Sequence, residues 1–296
     1  RSSDDKDNVN WAQRLVDANH NKHFRAHFQL IENFFPDTAK PKIRIETLIR
    51  MWDPVQQRLI PPGEFIGPAE RLHLIPELDK WMIEEVIQLL AQHDDLREGI
   101  ESVSMNLSAL SIREPHFADH IIHLIQLHKI PPTMISFEIT ETEAITNLDI
   151  ANEFMQRLHR LGCRFSLDDF GSGFASYAYL HKLAFDTLKI DGIFVRDMDR
   201  EPNHYAMVKA IVEMAHTLKK DVVAEFVETF FVERGFGEVG AVEVARRHRR
   251  AFHADFEFLA VGHELQRDAR ERQADQADAL RDPVHDGDAL GLGRAV

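Results

Sequence analysis

The sequence predicts an α/β fold: a TIM-like (β/α)8 barrel with one antiparallel strand, its eighth strand absent or atypical. Three observations predict it. Short β-type runs alternate with helical stripes along most of the 296 residues. The first two β-type runs follow each other with no helix between them, which reads as a hairpin. The regular pattern then stops soon after residue 221. Strand–helix alternation over this many units argues for a mostly parallel sheet, and at this length for a closed barrel.

Residues 1–22 are polar, and Trp11, Leu15 and Val16 give Trp11–Ala18 helical spacing. This segment reads as a linker helix from an upstream domain. The strand runs are His23–Ile31, Lys42–Arg50, Ser102–Leu107, Met134–Thr140, Arg164–Asp169, Thr187–Asp191 and Asp221–Val227. They are apolar or alternating and rich in β-branched residues. The helical stretches are Asp79–His93, His120–His128, Ile150–Leu161 and His204–Leu218, the first with Met82, Ile83, Val86, Ile87 and Leu90 on one stripe. Seven strands are counted, and a seven-stranded barrel leaves two open edges.

Composition changes at the end. No Lys follows Lys220, no Met follows Met214, and Ser, Asn, Tyr, Trp and Cys are missing from residue 222 onward. Gln266–Arg281 is charged and polar around alanine, so a helix there has no face to bury. Residues 230–296 are expected to be an atypical, partly disordered tail. Two explanations stand open, a reading-frame shift near residues 226–232 and a divergent but genuine C-terminal extension; the coding DNA decides, since the first requires a one-base shift that restores the missing strand.

The net charge of -14 argues against a protein that coats DNA or RNA, since those present basic faces. No apolar run is long enough to span a membrane. One cysteine, Cys163, permits no internal disulfide and suits a reducing cytoplasm. The chain begins at Arg1 without a signal-peptide pattern, so it reads as a cytoplasmic piece of a longer protein, which is itself free to be membrane-anchored.

In such a barrel, chemistry sits at the C-terminal ends of the strands. There the sequence places Glu46, Asn106, Glu138, Asp168, Asp169, Lys189, Asp191, Glu225 and Glu228. Most of these interrupt apolar runs, and an unpartnered buried carboxylate is costly. Hard oxygen donors converging from several strands suit Mg²⁺ or Mn²⁺. The adjacent aspartates suit a two-metal site for phosphodiester hydrolysis. The competing explanation is a set of core ion pairs.

Six segments, in order, resemble EAL domains, bacterial cyclic di-GMP phosphodiesterases. They are Glu46-Thr47-Leu48-Ile49-Arg50, Asn106-Leu107-Ser108-Ala109, Glu138-Ile139-Thr140-Glu141, Asp168-Asp169-Phe170-Gly171-Ser172-Gly173-Phe174, Leu188-Lys189-Ile190-Asp191 and Ala224-Glu225-Phe226-Val227-Glu228-Thr229. The resemblance covers residues 23–229. It implies two bound ions, Mg²⁺ or Mn²⁺. Glu46, Asn106, Glu138 and Asp168 would hold the first, and Asp169 would bridge toward the second. Lys189 would orient water or offset phosphate charge, and Glu225 would be the general base or a second-metal ligand. Glu141 would steady the loop after Asp169. Gln29, Arg50 and Asp191 would face the substrate. The resemblance also implies a GGDEF or sensor domain upstream and a homodimer formed near the loop after Asp169.

Three departures stand out. Thr47 replaces the alanine of the signature triplet, Phe226 stands where the family has glycine, and no Gln-Gly pair follows residue 229. Two functions therefore compete: hydrolysis of cyclic di-GMP to linear pGpG, and a receptor that binds cyclic di-GMP without cutting it. Intact acids through Glu225 favour the enzyme. Product chromatography separates the two.

Overall fold

In the computed structural model, residues 3–33, 43–172, 177–198, 200–227, 243–245 and 252–253 are described. The helix expected at Trp11–Ala18 runs longer, as α1 (Ser3–His20). It is followed by β1 (Phe24–Asn33) and β2 (Ile43–Asp53), paired antiparallel from Phe24 opposite Met51 to Ile31 opposite Arg44. This is the hairpin the sequence predicts. A short β3 (Arg58–Ile60) extends β2 on its outer side.

Two helices come next, α2 (Pro62–Arg71) and α3 (Ile75–Gln92). Sequence reasoning missed α2 and began α3 at Asp79. Pro62, Gly63, Gly67 and Pro68 hide the helical pattern of α2. Pro76 sits at a first-turn position of α3, where its missing N–H costs nothing.

From α4 (Asp94–Gly99) onward the order is β4 (Ile100–Asn106), α5 (Ala109–Arg113), α6 (Phe117–His128), β5 (Ile135–Thr140), α7 (Glu141–Thr146), α8 (Leu148–His159) and β6 (Arg164–Phe170). It continues through α9 (Tyr177–Leu180), β7 (Thr187–Ile190), α10 (Gly192–Val195), α11 (Pro202–Thr217) and β8 (Asp221–Glu225). The last pieces are β9 (Glu243–Ala245) and β10 (Phe252–His253). From β2 through β4, β5, β6, β7 and β8 every neighbouring pair is parallel.

The eighth position is filled in an atypical way. The three residues of β9 pair parallel with β8 and antiparallel with β1, so the ring closes. The expectation of two open edges is thereby corrected. A three-residue strand carries too little periodicity to be read from sequence. Apart from Glu243–Ala245 and Phe252–His253, the atypical tail expected at residues 230–296 lies outside the described residues.

The main core joins the sheet to α3, α6, α8 and α11 through residues such as Ile83, Ile121, Leu158, Phe165, Leu188 and Val212. A smaller core packs Leu15 and Ala18 of α1 with Phe24, Met51, Ile60, Phe65 and Leu78. Helix α1 is therefore part of the barrel's outer wall, further tied by Arg14 to Asp53 at 2.8 Å.

Candidate active site

The parallel register explains why the polar groups converge. Asn106 lies opposite Glu138, Thr140 opposite Asp168, and Glu46 opposite Gln29 across the hairpin. Each is at or near the C-terminal end of its parallel strand, or faces one. Between β6 and β7 the register slips between Leu167 and Phe170. Such an irregularity re-aims side chains, and this one falls on Asp168 and Asp169. Asp169 takes a left-handed backbone (φ 52°), a conformation aspartate tolerates better than most residues. Its N–H donates to Asp168 Oδ1 at 3.0 Å.

Lys189 is the centre. Its side chain is 1% exposed, and Nζ lies 2.6 Å from Glu138, 2.9 Å from Glu225, 3.2 Å from Asp168 and 3.5 Å from Glu46. One cation thus faces four carboxylates contributed by β2, β5, β6 and β8. These acids hold the Lys189 pKa well above its ordinary value, despite burial acting the other way. Burial, helped by Glu46 and Asp168, drives Glu138 well above the carboxylate range. Burial raises Glu225 to about 7, and lost hydration with the charges of Asp168 and Asp191 raises Asp169 to about 6.

The negative charge left over is what a cation site needs. Glu138 Oε1 is buried without a hydrogen-bond partner. Asp168, Asp169 and Glu225 each offer a ligand oxygen, all within 4.8 Å of one another. Asn106 Nδ2 lies 3.4 Å from Glu46 Oε1, leaving its amide oxygen free to join the set. All are hard oxygen donors, which fit Mg²⁺ or Mn²⁺.

Above this cluster opens a cavity of about 530 Å³. Gln29, Glu46, Arg50, Asn106, Asp168, Asp169 and Glu225 line it. The side chain of Arg50 folds back so that Nη1 donates to the Ile49 carbonyl at 2.9 Å. Asp191 does not line the cavity; its carboxylate caps α10 through the Ile193 N–H at 2.9 Å. Glu141, buried on α7, accepts from the Gly171 N–H at 2.9 Å and so tethers the start of the loop after Asp169. Residues 173–176 of that loop, together with Glu228, lie outside the described residues.

Phe226 also lines the cavity, at φ 53°. A left-handed backbone costs a residue with a side chain roughly 1–2 kcal/mol. The ring is wedged against Gly192, where an added Cβ would come 2.2 Å from Phe226 Cδ2, and Arg196 lies over its face at 4.3 Å. Two acids near the site escaped sequence reading, Asp79 and Glu143. The sequence pattern starts a helix at Asp79, whereas the residue is buried inside α3.

Known proteins similar to this chain share its fold. The EAL domain family model matches residues 12–240. The chain is 37% identical over 218 residues to the cyclic di-GMP phosphodiesterase PdeB of Shewanella oneidensis, covering 74% of this chain and 25% of the relative. It is 34% identical over 223 residues to PdeF of Escherichia coli, also named a cyclic di-GMP phosphodiesterase, covering 75% and 29%. Among solved structures, the MucR phosphodiesterase in complex with c-di-GMP superposes with a TM-score of 0.75 at 28% identity, covering 82% of this chain and 97% of that one. The c-di-GMP-bound FimX EAL domain from Pseudomonas aeruginosa gives 0.73 at 26% identity, covering 80% and 93%. The chain spans between a quarter and a third of the length of these curated relatives.

Proposed function

The chain belongs to the EAL domain family, and from that premise we propose that it is a metal-dependent phosphodiesterase hydrolysing cyclic di-GMP to linear pGpG. The observation that carries this reading is the ring of four carboxylates around buried Lys189, opening through Asp168, Asp169 and Glu225 into the 530 Å³ cavity.

In this reading Glu46, Asn106, Glu138 and Asp168 hold one Mg²⁺ or Mn²⁺, and Asp169 reaches toward a second. When bound, the ions acidify water and stabilise charge on the phosphoryl oxygens. The chain's own groups do the rest. Glu225 accepts a proton from the attacking water, whose oxygen forms the new bond to phosphorus as the P–O3′ bond breaks. The departing O3′ takes up a proton. Lys189 holds the acids in convergence and offsets their charge. Arg50 swings from the Ile49 carbonyl to a phosphate oxygen, a contact stronger than the one it leaves because both partners are charged. Gln29 faces the rest of the substrate, and Glu141 keeps the loop after Asp169 in place. Upstream lies a GGDEF or sensor domain, and the site works in the cytoplasm.

The test is incubation of cyclic di-GMP with the protein and Mn²⁺ or Mg²⁺, with products resolved by chromatography. Linear pGpG is expected from the wild type and not from Asp168→Ala. Binding of cyclic di-GMP without any pGpG would replace this reading with the receptor.

A further inference from the structure

Asn106 differs from the other three groups proposed to hold the first ion. Glu46, Glu138 and Asp168 are all gathered by Lys189, whereas the side chain of Asn106 has one long contact, 3.4 Å to Glu46. Its side chain is exposed at the very end of β4, where a strand hands over to a turn. Something else must fix it. The three backbone N–H groups that follow it are each claimed by a different element. Leu107 N donates to the Glu138 carbonyl at 2.8 Å. Ser108 N donates to Asp79 Oδ2 at 3.0 Å. Ala109 N donates to Glu143 Oε1 at 3.0 Å.

The two carboxylates come from outside the strand layer. Asp79 lies on α3 and is 9% exposed; its Oδ2 also accepts the Ser111 hydroxyl at 2.5 Å. That hydroxyl is 2.9 Å from the Ser108 hydroxyl, which in turn caps α5 through the Ser111 N–H. Glu143 is fixed by its own capping box with Thr140 at the start of α7. Bonds from an ionised acceptor to backbone N–H are among the stronger hydrogen bonds, and groups that hold a metal ligand in place strongly affect affinity.

We infer that Asp79, with Glu143, is a positioning residue for the metal site: it fixes Asn106 by anchoring the backbone just after it to α3. The inference rests on the proposed metal site and adds residues that touch no metal in that proposal. It makes a sharp chemical demand. The Ser108 N–H and the Ser111 hydroxyl both end on Asp79 Oδ2, so an amide oxygen can stand in for it while a methyl group cannot.

The test is a Mn²⁺ titration of the folded protein followed by electron paramagnetic resonance of the free ion, at a temperature well below each variant's melting point. Asp79→Ala should raise the Kd on the order of tenfold, and Asp79→Asn should stay within about twofold of the wild type, on the same scale. In an Asn106→Ala background, Asp79→Ala should add little, because the residue it positions is gone. Should Asp79→Ala fail to fold, Glu143→Ala against Glu143→Gln makes the same comparison at Ala109. An equal tenfold loss in both backgrounds, or a wild-type Kd in the alanine variants, overturns the inference while the metal site stands. A wild type that binds no Mn²⁺ overturns both.

Discussion

Two side chains carry opposite lessons about buried charge. Lys189 is ion-paired with Glu46, Glu138, Asp168 and Glu225 at once. Removing one partner of a buried ionic cluster typically costs about 3–5 kcal/mol. Lys189→Met should therefore abolish turnover and lower the melting temperature of the metal-free protein at pH 7. Its pH response follows from the acids it leaves behind: Glu138 and Glu225 already bind protons more tightly folded than unfolded. Protonation on acidification relieves their repulsion, so the deficit should shrink as pH falls from 8 to 5. A deficit that grows on acidification would contradict this. Asp79 is raised to about 6, chiefly by burial, against the hydrogen bonds from Ser111 and Ser108 and with the Glu143 charge adding to the rise. A folded pKa above the unfolded value of 3.8 means the native state holds the proton more tightly. Its stabilisation is present at low pH and lost as pH climbs through 6, a difference on the order of 3 kcal/mol. Asp79→Asn should remove that slope between pH 4 and 6, read from denaturant midpoints. These two residues were not equally legible. Lys189 breaks a four-residue apolar strand and is conspicuous in the sequence. Asp79 stands beside Lys80 and two residues after Glu77, where an acid looks like an ordinary solvated helix face, and only the fold shows what it touches.

At the scale of elements, the junction between β8 and α10 is the tightest feature beside the cavity. Gly192 opens α10 with a backbone that any residue adopts, so its need for glycine comes from space alone. A Cβ there would meet the Phe226 ring at 2.2 Å. That ring is held by Arg196 and by a left-handed backbone and has little room to yield. Overpacking of this kind costs roughly 1–3 kcal/mol. Gly192→Ala should therefore destabilise the protein by about that much, and in a Phe226→Gly background it should be nearly neutral. Equal penalties in both backgrounds, measured by thermal melts, would show that the two elements do not oppose each other. The seven strands themselves were readable because each joins an apolar run to a turn signal, and their observed ends fall within three residues of those expected. The short helices α4, α5, α7, α9 and α10 were not, because four to six residues are too few to establish a helical period.

For the whole molecule the open question in the sequence was closure, and the structure resolves it with three residues. Glu243, Val244 and Ala245 bridge β8 and β1, with Val244 opposite Ala224 on one side and Glu32 on the other. The worth of so short a strand lies in covering two edges that would otherwise present unpaired N–H and C=O groups. Glu225, opposite Ala245, stands on one of those edges, so closure and the candidate site are joined through the same strand. A chain ending at Gly240 keeps the seven strands legible in the sequence and loses the eighth. It should melt several degrees lower than the full chain and associate at micromolar concentration, read by calorimetry and light scattering. If Mn²⁺ binds the folded barrel alone, it should raise the melting temperature of both chains, since a ligand stabilises only the state it binds. The rise should be smaller for the truncated chain because Glu225 loses its neighbour. Identical melting and an identical metal-induced rise in the two chains would mean that β9 contributes neither to closure nor to the site, and that the barrel functions with an open seam.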